Sequence, residues 1–108
     1  MPQLIFKGVK TNTIKEISTK LVNDLSLITD SPRDYFTLEC IETQFIFDGD
    51  LTVLYPIVEV KWFDRGQSCK DRVAAAIDKA LRIHGHDTTE IFFTTLEKED
   101  YYENGIHY

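Results

Sequence analysis

One arrangement runs through this chain twice, and it limits the fold more than any other feature. A proline opens a strand-like run, PQLIFKGV from Pro2 and PIVEVKWF from Pro56, and an amphipathic segment follows each. In the first, Ile14, Ile17, Leu21, Leu25 and Ile28 recur at helical spacing, so one face is apolar and the other polar. In the second, Val73, Ile77, Leu81 and His84 do the same, up to a stop at Gly85. Thr13 with Glu16, and Ser68 with Asp71, have the spacing of capping boxes and predict the two helix starts. The segment DSPRD, with Pro32 as breaker, ends the first helix.

Strand-like segments fill the rest. YFTLECIETQFIF predicts a long strand whose alternation slips at Cys40–Ile41, the mark of a bulge. The turn FDGD leads into LTVLYPIVEVKWF, a second long strand and the expected hairpin partner of the first. Pro56 forfeits a ladder hydrogen bond and belongs at an edge or a bend. EIFFTTL is a last core strand, and DYYENGIHY holds an Asn104–Gly105 turn between aromatics, a small hairpin or arm.

The order is β-α-β followed by β-α-β, a structural duplication with pseudo-repeats near 1–50 and 51–108 inside one domain spanning 1–108. Such units build an α+β fold, a four-stranded mixed sheet with two helices on one face. Element order fits a ferredoxin-like sandwich as well.

Charge and cysteine content narrow the partners. Eighteen acidic against 12 basic residues leave a formal charge of −6, which argues against nucleic acid or an anionic membrane as main partner. A small anionic ligand stays open, since one arginine sets a local potential. Cys40 and Cys69 stand in no metal or redox spacing and read as reduced thiols, which with the lack of a signal-peptide pattern predicts a cytoplasmic protein. HGHD at 84–87 reads as a helix end rather than a metal site. No phosphate-cradling glycine loop or nucleophile elbow is present, and no cofactor is expected.

A proline directly after the initiator, opening a duplicated βαβ chain of this length, resembles the tautomerase superfamily, in particular its two-unit members like macrophage migration inhibitory factor. MPQLIF, FTLECIETQF, YPIVEVKWFDR and YYENGIHY are closer still to a small bacterial family of unknown function with that fold. The resemblance spans the whole chain. It implies a homotrimer with active sites between subunits and the N-terminal proline at the floor of each pocket, a base acting on enols and keto acids. The lysine usual before the second strand falls at Ser31, the tyrosine after it is Tyr35, and the pocket aromatic and amide of the last strand fall at Phe92 and Thr94. Of that last pair only the ring is present.

If Met1 is removed, Pro2 carries a secondary amine. A free α-amine titrates near ~8 and burial lowers it, so it suits a general base at neutral pH. If Met1 stays, Pro2 is only a rigid strand opener. Arg65, in WFDR, is the candidate to fork onto a carboxylate or enolate, against the plainer role of a surface arginine paired with Asp64 or Asp71. Glu39 and Glu59 read as the outward face of a half-covered sheet, and Trp62 and Phe63 as core and interface. The expected function is a cofactor-independent tautomerase or isomerase acting on a small carboxylate-bearing keto/enol compound. Pro2 is its base, Arg65 its anion binder, and Tyr35 and Phe92 its pocket walls. The competing expectation is a non-catalytic trimeric binding protein on the same fold.

Overall fold

The computed structural model describes residues 2–108; Met1, on which the presence of a free amine at Pro2 depends, lies outside the described residues. Strand β1 (Gln3–Lys7) leads into helix α1 (Thr11–Thr29), and a single 3-10 turn at Arg33–Tyr35 carries the chain into β2 (Thr37–Ile41). A small hairpin, β3 (Phe45–Phe47) and β4 (Asp50–Thr52), separates the halves. The second half repeats the first with β5 (Ile57–Trp62), α2 (Gln67–Ile83) and β6 (Glu90–Thr95). It closes with the hairpin β7 (Tyr102–Glu103) and β8 (Ile106–His107).

Four strands form one sheet in the order β2-β1-β5-β6. The pairs β1–β2 and β5–β6 are parallel, and the central pair β1–β5 is antiparallel, with Gln3 opposite Lys61 and Ile5 opposite Glu59. Each parallel pair is one βαβ unit, so the duplicated order produces two halves meeting head to tail along the centre.

The helical periodicities converge on one core. Ile14, Ile17, Leu21 and Leu25 from α1 and Val73, Ile77 and Leu81 from α2 are buried against Leu4, Phe6, Val58, Val60 and Trp62. The strand residues alternate, so one sheet face carries the core and the other carries Ile5, Lys7, Glu59 and Lys61. Truncating a fully buried member such as Leu25 to alanine is expected to cost about 2–5 kcal/mol, transfer and cavity effects together.

Two expectations need correction. The helices do not use the predicted capping boxes. Lys10 and Gly66 stand at the N-cap positions without side-chain caps, Thr13 falls inside the first turn, and Asp71 accepts from the Gln67 side chain at 2.8 Å. The α2 entry is instead shaped by Asp64, which accepts the Gly66 N–H at 2.8 Å, and by Gly66 itself at φ 92°. That conformation suits a residue without Cβ.

The two long strands also break up. β2 ends at Ile41 because its partner is β1, in parallel, with Lys7 as the last matched residue. After the break at residues 42–44, only Phe45–Phe47 and Asp50–Thr52 pair as a hairpin around Asp48 and Gly49, both at positive φ. Pro56 ends up just ahead of β5, where its missing N–H breaks no ladder bond. The C-terminal turn at Asn104–Gly105 is as read, with φ values of 53° and 82°.

Candidate functional site

The two prolines occupy equivalent places. Pro2 is buried, and its carbonyl accepts the backbone N–H of Thr37 at 3.2 Å, the first residue of the parallel neighbour β2. Pro56 is buried, and its carbonyl accepts the N–H of Glu90 at 3.0 Å, the first residue of β6. The duplication read from the sequence is therefore present at the level of single hydrogen bonds.

The antiparallel register puts the C-terminal end of β5 beside the start of β1, just after Pro2, since Gln3 faces Lys61. Arg65 follows three residues later, at the same end of the sheet. Its guanidinium donates to the Oγ of Ser31 at 2.9 Å, and among the described residues it forms no ion pair. Asp64 and Asp71, the partners of the plainer reading, accept from Gly66 and Gln67 instead. Tyr35 joins this end too: it lies two residues before Thr37 and is 42% exposed.

Phe92 is not brought there. It pairs with Glu59 in the middle of β6 and stands 50% exposed on the open sheet face. Beside it, Glu59, expected on that outward face, accepts the Thr94 hydroxyl at 2.6 Å within one chain.

The tail, expected as a small hairpin or arm, packs its aromatic rings against its own chain. Tyr101 packs edge-on against Phe63 at 5.4 Å and Tyr108 at 5.1 Å, and Phe63 and Tyr108 complete the triangle at 5.4 Å. The Tyr101 hydroxyl accepts from the Gln3 amide at 3.2 Å, which ties the tail to the residue next to Pro2. The signal was the YY and final Y of the tail, but nothing in a linear pattern links residues 98 positions apart. The Tyr108 hydroxyl donates to Glu103 at 2.6 Å, and that bond pushes the phenol up to about 12. It stays protonated at neutral pH and is already committed to its carboxylate.

Two grooves lie elsewhere. One of about 1160 Å³ opens at the opposite end of the sheet, between Gly8, Lys10, Cys40, Gln44 and His86. Its chemistry is largely engaged: the Cys40 thiol donates to the Val9 carbonyl at 3.3 Å, and the His84 ring meets Glu16 at 3.1 Å. The other, about 480 Å³, runs between the helices past Leu27, Ala76, Ala80 and Ile83. Among the described residues, no three His, Cys, Asp or Glu side chains come together in a metal-ligating cluster. Among the described residues, no helix is long and apolar enough to cross a membrane.

Comparison with known proteins bears on the family and the fold. A family model for a domain of unknown function, DUF1904, matches residues 1–107. The crystal structure of a DUF1904 domain from Sebaldella termitidis superposes with a TM-score of 0.95 at 31% identity, covering 100% of both chains. A macrophage migration inhibitory factor-like protein from Entamoeba histolytica matches at TM-score 0.75 and 14% identity, over 99% of this chain and 98% of that one. Fused 4-OT, as a wild-type asymmetric trimer, matches at 0.82 and 14%, over 97% and 94%. No curated protein matches the chain. These last two structures share the fold only, whereas the first shares sequence over its full length. The chain belongs to the DUF1904 family, and its fold is that of the tautomerase superfamily.

Proposed function

We propose that this protein is a cofactor-independent tautomerase of a small carboxylate-bearing keto/enol compound, working as a homotrimer in the cytoplasm with Pro2 as its base. The observation that carries the reading is the convergence at one sheet end of a buried strand-opening proline and an arginine that, among the described residues, has no carboxylate partner.

Once Met1 is removed, the Pro2 amine has a lone pair, and burial against apolar neighbours favours its neutral form. It takes a proton from the carbon next to the substrate carbonyl. The C–H electrons move into a C=C bond, and the carbonyl oxygen becomes an enolate. Arg65 holds the carboxylate, so that the charge developing on the adjacent enolate lies near a guanidinium. Return of the proton to oxygen completes the enol, and the reverse order makes the ketone. Tyr35 forms a pocket wall. Phe92 supplies its ring to a neighbouring copy, because within its own chain it stands on the open sheet face.

Assembly is supported by apolar surface that a single chain leaves bare. Ile46, Phe47, Leu51 and Val53 on the β3–β4 arm are all exposed, and an isolated two-stranded hairpin is marginal in water. The fused 4-OT of the same fold is a trimer.

The test begins with the intact mass of the protein from its native host. A mass short of one methionine creates the amine, and keto/enol conversion of 2-oxo acids is then followed by ultraviolet absorbance. Pro2→Ala is expected to lower turnover by about 10²–10⁴-fold while the trimer persists. Retained methionine in the native protein overturns the base and leaves a binding protein on the same fold.

A further inference from the structure

We infer that Ser31 is a positioning residue that holds Arg65 by a neutral hydrogen bond, leaving the guanidinium its full charge for an incoming monocarboxylate. The inference rests on the reading of Arg65 as the anion binder and names the device that prepares it.

Ser31 is a polar residue with 6% of its surface exposed, and each of its hydrogen-bonding groups is used. Its N–H donates to the Ser26 carbonyl at 3.2 Å, and its own carbonyl accepts the Ser26 hydroxyl at 2.6 Å. Its hydroxyl proton goes to the Thr29 carbonyl at 3.3 Å. A serine hydroxyl has one proton, so with that proton placed on Thr29 its lone pairs point outward. One of them receives the Arg65 Nη2 at 2.9 Å. The Ser31 backbone is braced through both its N–H and its carbonyl, which fixes where its side chain starts.

The arginine is braced from its own side as well. Asp64 caps the Gly66 N–H, and Gly66 at φ 92° turns the chain into α2, so Arg65 leaves a loop of defined shape. A guanidinium has five donors, and the Ser31 bond uses one. A carboxylate in place of Ser31 would hold the arginine more tightly but would neutralise it, whereas a hydroxyl orients without neutralising. That is the arrangement needed when a second carboxylate, that of the ligand, is to complete the ion pair.

The test uses pyruvate as probe on the full chain, reading the Arg65 side-chain NH signal by nitrogen-15 NMR during titration. Catalysis is not required for this readout. Ser31→Ala is expected to weaken pyruvate binding about tenfold, Ser31→Asp to abolish it, and Ser31→Thr to retain it, because only threonine keeps a neutral hydroxyl. Arg65→Ala removes binding altogether. In turnover the same pattern appears in KM, with kcat changed less. Hydrogen exchange of the Ser26 and Thr29 amides reports whether the turn itself survives, and Ser31→Thr and Ser31→Asp keep the comparison decisive if the alanine variant misfolds. Equal binding by the Ala, Thr and Asp variants overturns the inference, as does a wild-type Arg65 signal indifferent to pyruvate. Loss of turnover in Pro2→Ala with pyruvate binding intact marks the catalytic reading separately: if wild-type turnover is absent while the Ser31 series behaves as stated, the anion device stands and the tautomerase reading falls.

Discussion

Pro2 and Pro56 have almost the same backbone surroundings and opposite chemical prospects. Each is buried, opens a central strand, and gives its carbonyl to the first N–H of a parallel neighbour, Thr37 in one half and Glu90 in the other. The nitrogen of Pro56 is locked in an amide with Tyr55, whose carbonyl lies so close to Gly8 that a Cβ there would come within 2.1 Å of it. Under the proposed function, Pro2 gains a free amine once Met1 is removed. Duplication thus reproduces geometry, and the proposed base depends on that removal. The neighbours diverge likewise: the Pro2 end holds Arg65, Tyr35 and the Phe63–Tyr101–Tyr108 triangle, and the Pro56 end holds a tight backbone crossing and a projecting arm.

The sharpest way to break this comparison is to change both prolines. Pro2→Ala should remove turnover by about 10²–10⁴-fold, whereas Pro56→Ala, whose nitrogen is never a base, should leave kcat within about twofold and act on stability alone. Equal losses in the two variants would mean that Pro2 matters only as a strand opener. Next in size is Gly8→Ala. The added methyl meets the Tyr55 carbonyl, and φ at this site is 75°, so a loss of about 3 kcal/mol or more is expected in urea unfolding. Gly105, also at positive φ but with nothing within 4 Å of a Cβ, should lose distinctly less on the same change.

A smaller effect sharpens the Pro56 side. Asp78 on α2 accepts the Thr89 hydroxyl just ahead of β6, and this bond, with help from Arg82, holds its carboxyl below the ordinary aspartate range. A carboxyl depressed in the folded state stabilises above its unfolded pKa, and that contribution is lost as pH falls through the lower, folded value. Thr89→Val should therefore cost about 1 kcal/mol at pH 7, and the gap to wild type should narrow as pH falls below about 4. Thermal melts across that range decide it; a gap independent of pH would remove the carboxyl from the account. The smallest change belongs to the helix surface, where Lys20→Ala breaks an exposed pair with Asp24 and should shift stability by no more than about 0.5 kcal/mol.

The parts of the fold legible in the sequence are those governed by a short repeat. The α1 and α2 faces were readable because burial at every third or fourth residue repeats along one helix, and Leu21, Leu25, Ile77 and Leu81 are indeed buried. The Asn104–Gly105 turn was readable because positive φ favours those two residues. The helix starts were misread, since the capping box depends on where the backbone enters the helix, and Lys10 and Gly66 enter earlier than Thr13 and Ser68. Residues 35–47 were read as one strand, since residue pattern does not say which neighbour a strand will take.

At the site, the same division holds. The order of elements and the place of Pro2 at the head of a strand follow from the sequence alone, because local propensity and a proline's fixed ring do not depend on distant residues. The register that sets the C-terminal end of β5 at the Pro2 end of the sheet, the Ser31 hydroxyl that accepts from Arg65, and the Gln3–Tyr101 bond were decided by the tertiary structure. Those contacts join residues 34 and 98 positions apart, and only packing two helices on one face of a shared sheet brings such groups within hydrogen-bonding distance.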